Sequence, residues 1–318
     1  MIYMRRVIID TDTAGDDTTA ILTALKYFKV EGITIAGGNV QFDNQVRNAL
    51  YTVELFNPDY KVPVYKGYEE PIDALLTEKH DTIENIHGNA GMGDLVITEP
   101  KQEPETQHAV DYLVDAINAN PGEIEIIAIA PLTNIAMAMK KDPSIATKIK
   151  HLWIMGGINN SLGNINVSAE YNFYIDPLAA KMVFGSGAPI TMIGWDMTIE
   201  YGVMDDAEIK EIAALNTKGS QFYMDVNGFV REANNSEHLF DGITHPDSLA
   251  VAIAANEEIM TQSNDYFVDV ETKGEITRGH NIVDLTHQLH KTPNARVCEV
   301  VDHQAFKQVM LDVFGDIR

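Results

Sequence analysis

The sequence predicts an α/β fold: an open, mostly parallel sheet flanked by helices, with a more helical C-terminal part. Three observations predict it. Short apolar runs alternate with helix-patterned stretches over the first 200 residues, as parallel strands joined by crossover helices require. Beyond residue 200 the helical pattern dominates, with short strand candidates only near 265–270 and 296–301. No tandem repeat, low-complexity tract or linker-like break divides the chain, so one domain spanning residues 1–318 is expected.

The elements follow in order. "RRVII" (5–9) is a short buried-strand run, and "DDTTAILTALKYF" (16–28) a helix. Strand "GITIAG" (32–37) and helix "NQVRNALYTVELF" (44–56) come next. Later come strand "EIEIIAIA" (123–130), helix "LTNIAMAMKK" (132–141) and strand "HLWIM" (151–155). Helix "DPLAAKMVF" (176–184) and strand "PITMIG" (189–194) complete a Rossmann-like alternation, whose ligands bind beyond the C-terminal strand ends. Two stretches, 82–100 around His87 and the Asn- and Gly-rich 156–170, read as long polar loops. Loops of that length in a compact domain are often functional, the competing reading being a surface connection.

Asp plus Glu number 47 against 23 Lys plus Arg, a net charge of −24. Such a charge argues against a nucleic-acid or anionic-membrane partner, and most of it serves solubility. The one cysteine, Cys298, forbids an intrachain disulfide and suits a reducing cytoplasm. The N-terminal segment lacks the apolar stretch of a signal peptide, and no run of 18 apolar residues is present to span a membrane.

The chemistry concentrates in "DTDTAGDD" (10–17), where four carboxylates fall in eight residues with no Lys or Arg from Val7 to Leu25. Capping explains Asp16 and Asp17, since a helix N-terminus favours carboxylates by roughly 0.3–1 kcal/mol each. It leaves Asp10 and Asp12 crowded at the strand end. A bound divalent cation removes the conflict, and hard oxygen ligands select Ca²⁺ or Mg²⁺. An EF-hand loop fails, because Ala14 and Ile21 stand where ligands are needed. An apolar strand ending in Asp-x-Asp-x-Thr also looks like the nucleophile motif of haloacid-dehalogenase-type phosphatases. In that alternative Asp10 attacks phosphorus, Asp12 is the acid/base and Mg²⁺ binds between them, but Asp16 and Asp17 have no role.

A larger set of motifs resembles the nucleoside hydrolase family. "VIIDTDTAGDDTTAILTAL" is similar to its opening signature, followed in order by "AGGN" with Asn39, "IHGNAGMGD" with His87, and "IAPLTNIAMA". "MGG…GN…AEYNFYIDPLAA" resembles its central signature, with Asn164, Glu170 and Asn172 in register. "PDSLAVA" and "KGEITRGHNIVD" resemble its late segments, so the likeness covers essentially the whole chain. Two departures stand out. Thr13-Ala14 replaces the usual Pro-Gly, and Pro246 occupies the place before the late Asp where several members carry a leaving-group acid.

The resemblance implies calcium-dependent hydrolysis of the N-glycosidic bond of ribonucleosides. It implies Asp12 as metal ligand and general base, Asp17 and Asp247 as further ligands, and the Ile129 carbonyl as another. It implies Asp16, Asn39, Asn164, Glu170 and Asn172 around the ribose hydroxyls, with Met155 packed beneath the sugar. Trp195, Phe222, Tyr223 and Phe229 are stacking candidates for the base that equally fit a core, and they do not choose purine from pyrimidine. A departing base needs a proton that Pro246 cannot give; His87 ranks first as donor, then His245, then His238. The residue before a proline is biased to extended backbone, so successive side chains there are expected to point in different directions and His245 to miss the pocket. The expected partner is a small ribonucleoside, the expected assembly a homodimer or homotetramer. A non-catalytic nucleoside-binding paralogue has the same pocket without turnover.

Overall fold

The structure is a computed structural model that describes residues 4–72, 87–88, 90–93, 95–236 and 241–317. Its centre is an eight-stranded sheet in the order β3-β2-β1-β4-β5-β6-β12-β9. The strands are β1 (Arg6–Thr11), β2 (Lys29–Ile35), β3 (Val64–Lys66), β4 (Ile124–Ala128), β5 (His151–Met155), β6 (Ile190–Ile193), β9 (Met260–Tyr266) and β12 (Ala295–Val301). All neighbours run parallel except β9 against β12. Two small antiparallel pairs lie outside it: β7 (Val203–Met204) with β8 (Ile243–Thr244), and β10 (Val268–Val270) with β11 (Asn281–Val283). No described helix is long and apolar enough to cross a membrane.

The expected strands and helices are all present. The C-terminal part is mostly helical, yet it also returns β9 and β12 to the sheet. Several elements escaped the sequence reading, β3 and one long helix among them. β3 is only three residues long, and helix α3 (Ala109–Ala119) carries the chain from β3 back across to β4. The other helices are α1 (Gly15–Tyr27), α2 (Phe42–Phe56), α4 (Thr133–Lys141), α5 (Tyr171–Ile175), α6 (Pro177–Phe184), α7 (Trp195–Tyr201), α8 (Asp206–Ala214), α9 (Lys218–Ser236), α10 (Pro246–Ala255) and α11 (His303–Asp316).

One face of the sheet packs under α1, α2, α9, α10 and α11, the other under α3, α4 and α6. Helices α1 and α10 are the central layer: ten of 13 and nine of ten residues are buried. A helix apolar all round, as "LAVAIAA" is, must be covered all round. The two pack against each other, which brings their N-termini, and so Asp16, Asp17 and Asp247, to the same end of the sheet. From β1 the chain moves outward to β2 and β3, then crosses back to β4, β5 and β6. The direction of strand order therefore changes between β1 and β4, where a crevice opens beyond the strand ends.

Candidate active site

At that crevice β1 ends at Thr11, and the chain turns through Asp12, Thr13 and Ala14 into α1. The turn places the carboxylates differently. Asp10 is still on the strand. Its Oδ1 accepts from the Thr34 hydroxyl (2.6 Å) and the Asn134 amide (2.9 Å), and it does not line the cavity. A nucleophilic Asp10, as in the phosphatase alternative, is therefore not what this fold presents.

Asp12 is buried and lines the cavity. Its Oδ2 accepts from the Asn39 backbone N–H at 3.0 Å. A Cβ on Gly38 would lie 2.0 Å from that oxygen, so only glycine lets the Asn39 turn close upon it. Asp17 takes the Ala14 N–H (2.9 Å) and the Asn39 amide (3.1 Å) on Oδ2, and the Thr11 hydroxyl on Oδ1. It does cap α1, but three donors leave room on a carboxylate for one more partner. Asp16, Asp17 and Asp247 each bring an oxygen within 4.8 Å of the others and could hold a metal ion, with Asp12 facing them. The Oδ1 of Asp16 is buried without a hydrogen-bond partner among the described residues, and Ile129 lines the cavity just after β4.

Burial and mutual repulsion define the electrostatics. Burial first, then the charges of Asp17 and Asp16, hold the Asp12 carboxyl well above its usual range. Burial and Asp16 push Asp17 up to about 8, and burial with the charges of Asp16, Asp17 and Asp12 raises Asp247. Among the described residues no Lys or Arg figures in the main charges acting on these three groups. A divalent cation fits this donor set: all-oxygen, net negative, and holding an orphaned buried oxygen.

The facing wall comes from β5 and the loop 156–170. Glu170 caps α5 and accepts from the backbone N–H groups of Asn172 (2.8 Å), Gly157 (2.8 Å) and Phe173 (3.3 Å); burial raises its carboxyl to about 7. Asn164 Oδ1 accepts from Tyr171 N (2.8 Å), and Asn172 Nδ2 donates to Met155 O (3.3 Å) and lies 3.5 Å from its sulfur. Asn39 spends its amide N–H groups on Asp12 O (3.3 Å) and Asp17. Each amide is thus anchored by one half. The Asn39 Oδ1, Asn164 Nδ2 and Asn172 Oδ1 atoms carry no protein hydrogen bond among the described residues. Such a wall offers mixed donors and acceptors, as a polyhydroxylated ring requires.

The loop that carries Asn164 is held from outside. Asn281 on β11 clamps Ile158 through both halves of its amide, N–H to Oδ1 at 2.8 Å and Nδ2 to O at 2.7 Å. Gly157, at φ +69°, leaves no space for a Cβ against Phe173 and Asn281. The segment "KGEITRGHNIVD" is thereby the brace of the site rather than part of its lining.

The histidines separate. His87 lines the cavity with Nδ1 buried and without a hydrogen-bond partner among the described residues; burial lowers its pKa, and the charge of Asp16 opposes that. His245 does not line the cavity. Its Nε2 pairs with the Tyr223 hydroxyl at 2.8 Å, and burial drives its pKa down to about 3. The pre-proline backbone (φ −132°, ψ 66°) turns it inward while Pro246 and Asp247 face the cavity. His238 lies outside the described residues. Of the aromatic candidates Trp195 lines the cavity, whereas Phe222, Tyr223 and Phe229 do not. Tyr171, Val230 and Thr244 line it without having been singled out from the sequence. Only Tyr171 carried a signal, lying between Glu170 and Asn172 in the central signature.

The sequence pattern of a family described as inosine-uridine preferring nucleoside hydrolase matches residues 7–308. The chain belongs to that family. Nucleoside hydrolases are N-glycosyl hydrolases of ribonucleosides, and the reaction class follows from membership. Uridine nucleosidase 1 of Arabidopsis thaliana is 36% identical over 282 residues, covering 88% of this chain and 82% of that protein. The pyrimidine-specific ribonucleoside hydrolase RihB of Escherichia coli O157:H7 is 31% identical over 305 residues, 95% of this chain and 94% of that one. Among solved structures, the purine-preferring ribonucleoside hydrolase from Gardnerella vaginalis superposes with a TM-score of 0.90 at 33% identity. That likeness covers 98% of this chain and 99% of the other.

Proposed function

We propose that this nucleoside hydrolase acts as one domain over residues 1–318 and cleaves ribonucleosides to ribose and free base with a calcium ion at the carboxylate cluster. The observation that carries this reading is four carboxylates facing one another without a cationic side chain among the described residues, opposite a wall of half-anchored amides. Asp12, Asp17, Asp247 and the Ile129 carbonyl would hold the ion. When bound, calcium supplies the charge that acidifies a water and draws in the sugar diol.

The remaining chemistry belongs to the chain. Asp12 accepts the proton of the attacking water as general base. Asp16, Asn39, Asn164, Glu170 and Asn172 hold the ribose hydroxyls, and Met155 lies beneath the ring. The acidic surroundings stabilise positive charge developing on an oxocarbenium-like sugar. His87 donates to the departing base. His245, bonded to Tyr223 away from the cavity, is not given that part. The compartment proposed is the cytoplasm, in keeping with a single, fully buried cysteine, and the assembly proposed is a homo-oligomer.

The experiment is a panel of purine and pyrimidine ribonucleosides, assayed for free ribose with and without chelator, then with calcium restored. Both base classes are needed because the relatives are named after each. Ribose release abolished by chelation and restored by calcium is expected. Absence of ribose from every nucleoside would overturn the reading in favour of a binding protein. Deoxynucleosides should turn over slower by roughly 10⁴ or more, since a site built on a hydroxyl rejects its absence.

A further inference from the structure

His87 reaches the cavity from a segment with little stiffness of its own. Gly88, Gly91 and Gly93 stand at φ +78°, +79° and +58°. The bonds from Gly91 N to Gly88 O and from Gly93 N to His87 O, both 2.9 Å, close the segment only upon itself. Met92 is buried in the core, but an unbranched thioether adapts to more than one orientation of its backbone. A side chain from elsewhere must therefore fix where the imidazole lies. Asn48 on α2 is placed to do so. It is fully buried, and its Nδ2 donates to Ala90 O at 2.8 Å and to Thr13 O at 3.2 Å. Among the described residues no other hydrogen bond joins residues 87–88 and 90–93 to a different part of the chain. The other half of the amide gains nothing: Oδ1 is buried without a hydrogen-bond partner among the described residues. A buried amide with one half unsatisfied is costly, so the two donated bonds are what holds it there. The ring so placed lies over the start of α1, with Nδ1 at 3.5 Å from where a Cβ on Gly15 would stand.

We propose that Asn48 is the positioning residue of the leaving-group histidine. One nitrogen pins the loop to the acidic turn, so the proton donor and the carboxylates keep a fixed spacing. The inference rests on the proposed role of His87 as donor to the departing base. The two ends of the clamp depend on it unequally. The turn is also held by Ala14 N on Asp17 (2.9 Å), by Asn39 N on Asp12 (3.0 Å) and by the paired hydroxyls of Thr11 and Thr13 (3.1 Å). Loss of the amide therefore frees the loop and leaves the turn. A proton donor must lie within hydrogen-bond reach of the atom it protonates, and a misplacement of about 1 Å costs roughly 10²-fold in rate.

The test is a double-mutant cycle on the full chain with calcium in excess, read with inosine or uridine and with a p-nitrophenyl riboside. Asn48→Ala should lower kcat on the nucleoside by roughly 10². It should leave the nucleoside KM and the turnover of the nitrophenyl substrate near those of the wild type, and speed hydrogen exchange at the Gly91 and Gly93 amides. The variant Asn48→Ala/His87→Ala should be no slower than His87→Ala alone, since a clamp has no effect once its ring is gone. Should Asn48→Ala fail to fold, Asn48→Ser, whose single proton cannot serve two carbonyls, carries the same expectations. A substrate split with His87→Ala but none with Asn48→Ala, losses that add in the double variant, or unchanged exchange would each overturn the clamp alone. Equal losses on both substrates with His87→Ala would overturn the donor role, and the inference with it.

Discussion

In the proposed mechanism Asp12 and His87 carry the two proton transfers, and each admits a separating experiment. Asp12→Asn keeps an oxygen toward the ion and the Asn39 contact but cannot take a proton. Turnover should fall by roughly 10²–10⁴, while nucleoside affinity measured by calorimetry is retained. Near-normal turnover would place the base elsewhere. His87→Ala should cripple hydrolysis of inosine or uridine and spare a p-nitrophenyl riboside, whose phenolate leaves unaided. Equal losses on both substrates would make His87 a positioning residue. The carboxylates of this site were legible in the sequence because four charges after a buried strand have no ordinary explanation. The roles of the amides were only half legible. Which atom of Asn39 or Asn172 is left for a ligand depends on partners such as Asp17 and Met155, brought in by other parts of the chain. His245 lies two residues before Asp247 in sequence, but the pre-proline backbone sends it to Tyr223.

At the scale of elements, the strands were legible because parallel strands covered on both faces become continuous apolar runs. β3 was not, since three residues carry no period. α3 shows Val110, Leu113 and Ile117 on one face, and that spacing was the signal for it. The brace on the loop 156–170 was not legible: a lone Asn281 after "RGH" gives no hint that it grips Ile158 across 123 residues. Asn281→Ala should leave a buried N–H and a buried carbonyl of Ile158 without partners, at about 1–3 kcal/mol each. The thermal midpoint should drop. The KM for nucleosides should rise more than kcat falls, because the loosened loop carries Asn164 and begins the wall that ends at Glu170. An unchanged KM would show that the loop keeps its shape without the clamp.

For the whole molecule, acid stability has an identifiable contributor. Glu125, at the opposite end of the sheet, is buried and bound by Arg5, Lys150 (2.9 Å) and the Trp153 indole (3.0 Å). Burial works against its charge, but those partners outweigh it and hold the carboxyl at about 2, below the ordinary 4.5. A depressed folded pKa contributes stability that is complete above 4.5 and lost as the pH falls toward 2. Glu125→Gln should therefore lower the thermal midpoint at pH 6 and flatten its fall between pH 5 and 2. Parallel midpoint curves for the two proteins would refute that role. The carboxylate cluster has a consequence for how the chain reaches its fold. Asp17 and Asp247 stand 230 positions apart in the chain, and the cluster is complete only when α10 lies against α1. Contacts so remote in sequence close at the cost of a long loop's entropy, and are commonly late. An ion that needs the finished cluster then stabilises the native state and not the barrier. Calcium should slow unfolding by the full factor of its binding equilibrium and leave the refolding rate in denaturant-jump experiments unchanged. The ion would act as a latch on a door already shut, so that loss of calcium shortens the lifetime of the folded enzyme without impairing its birth.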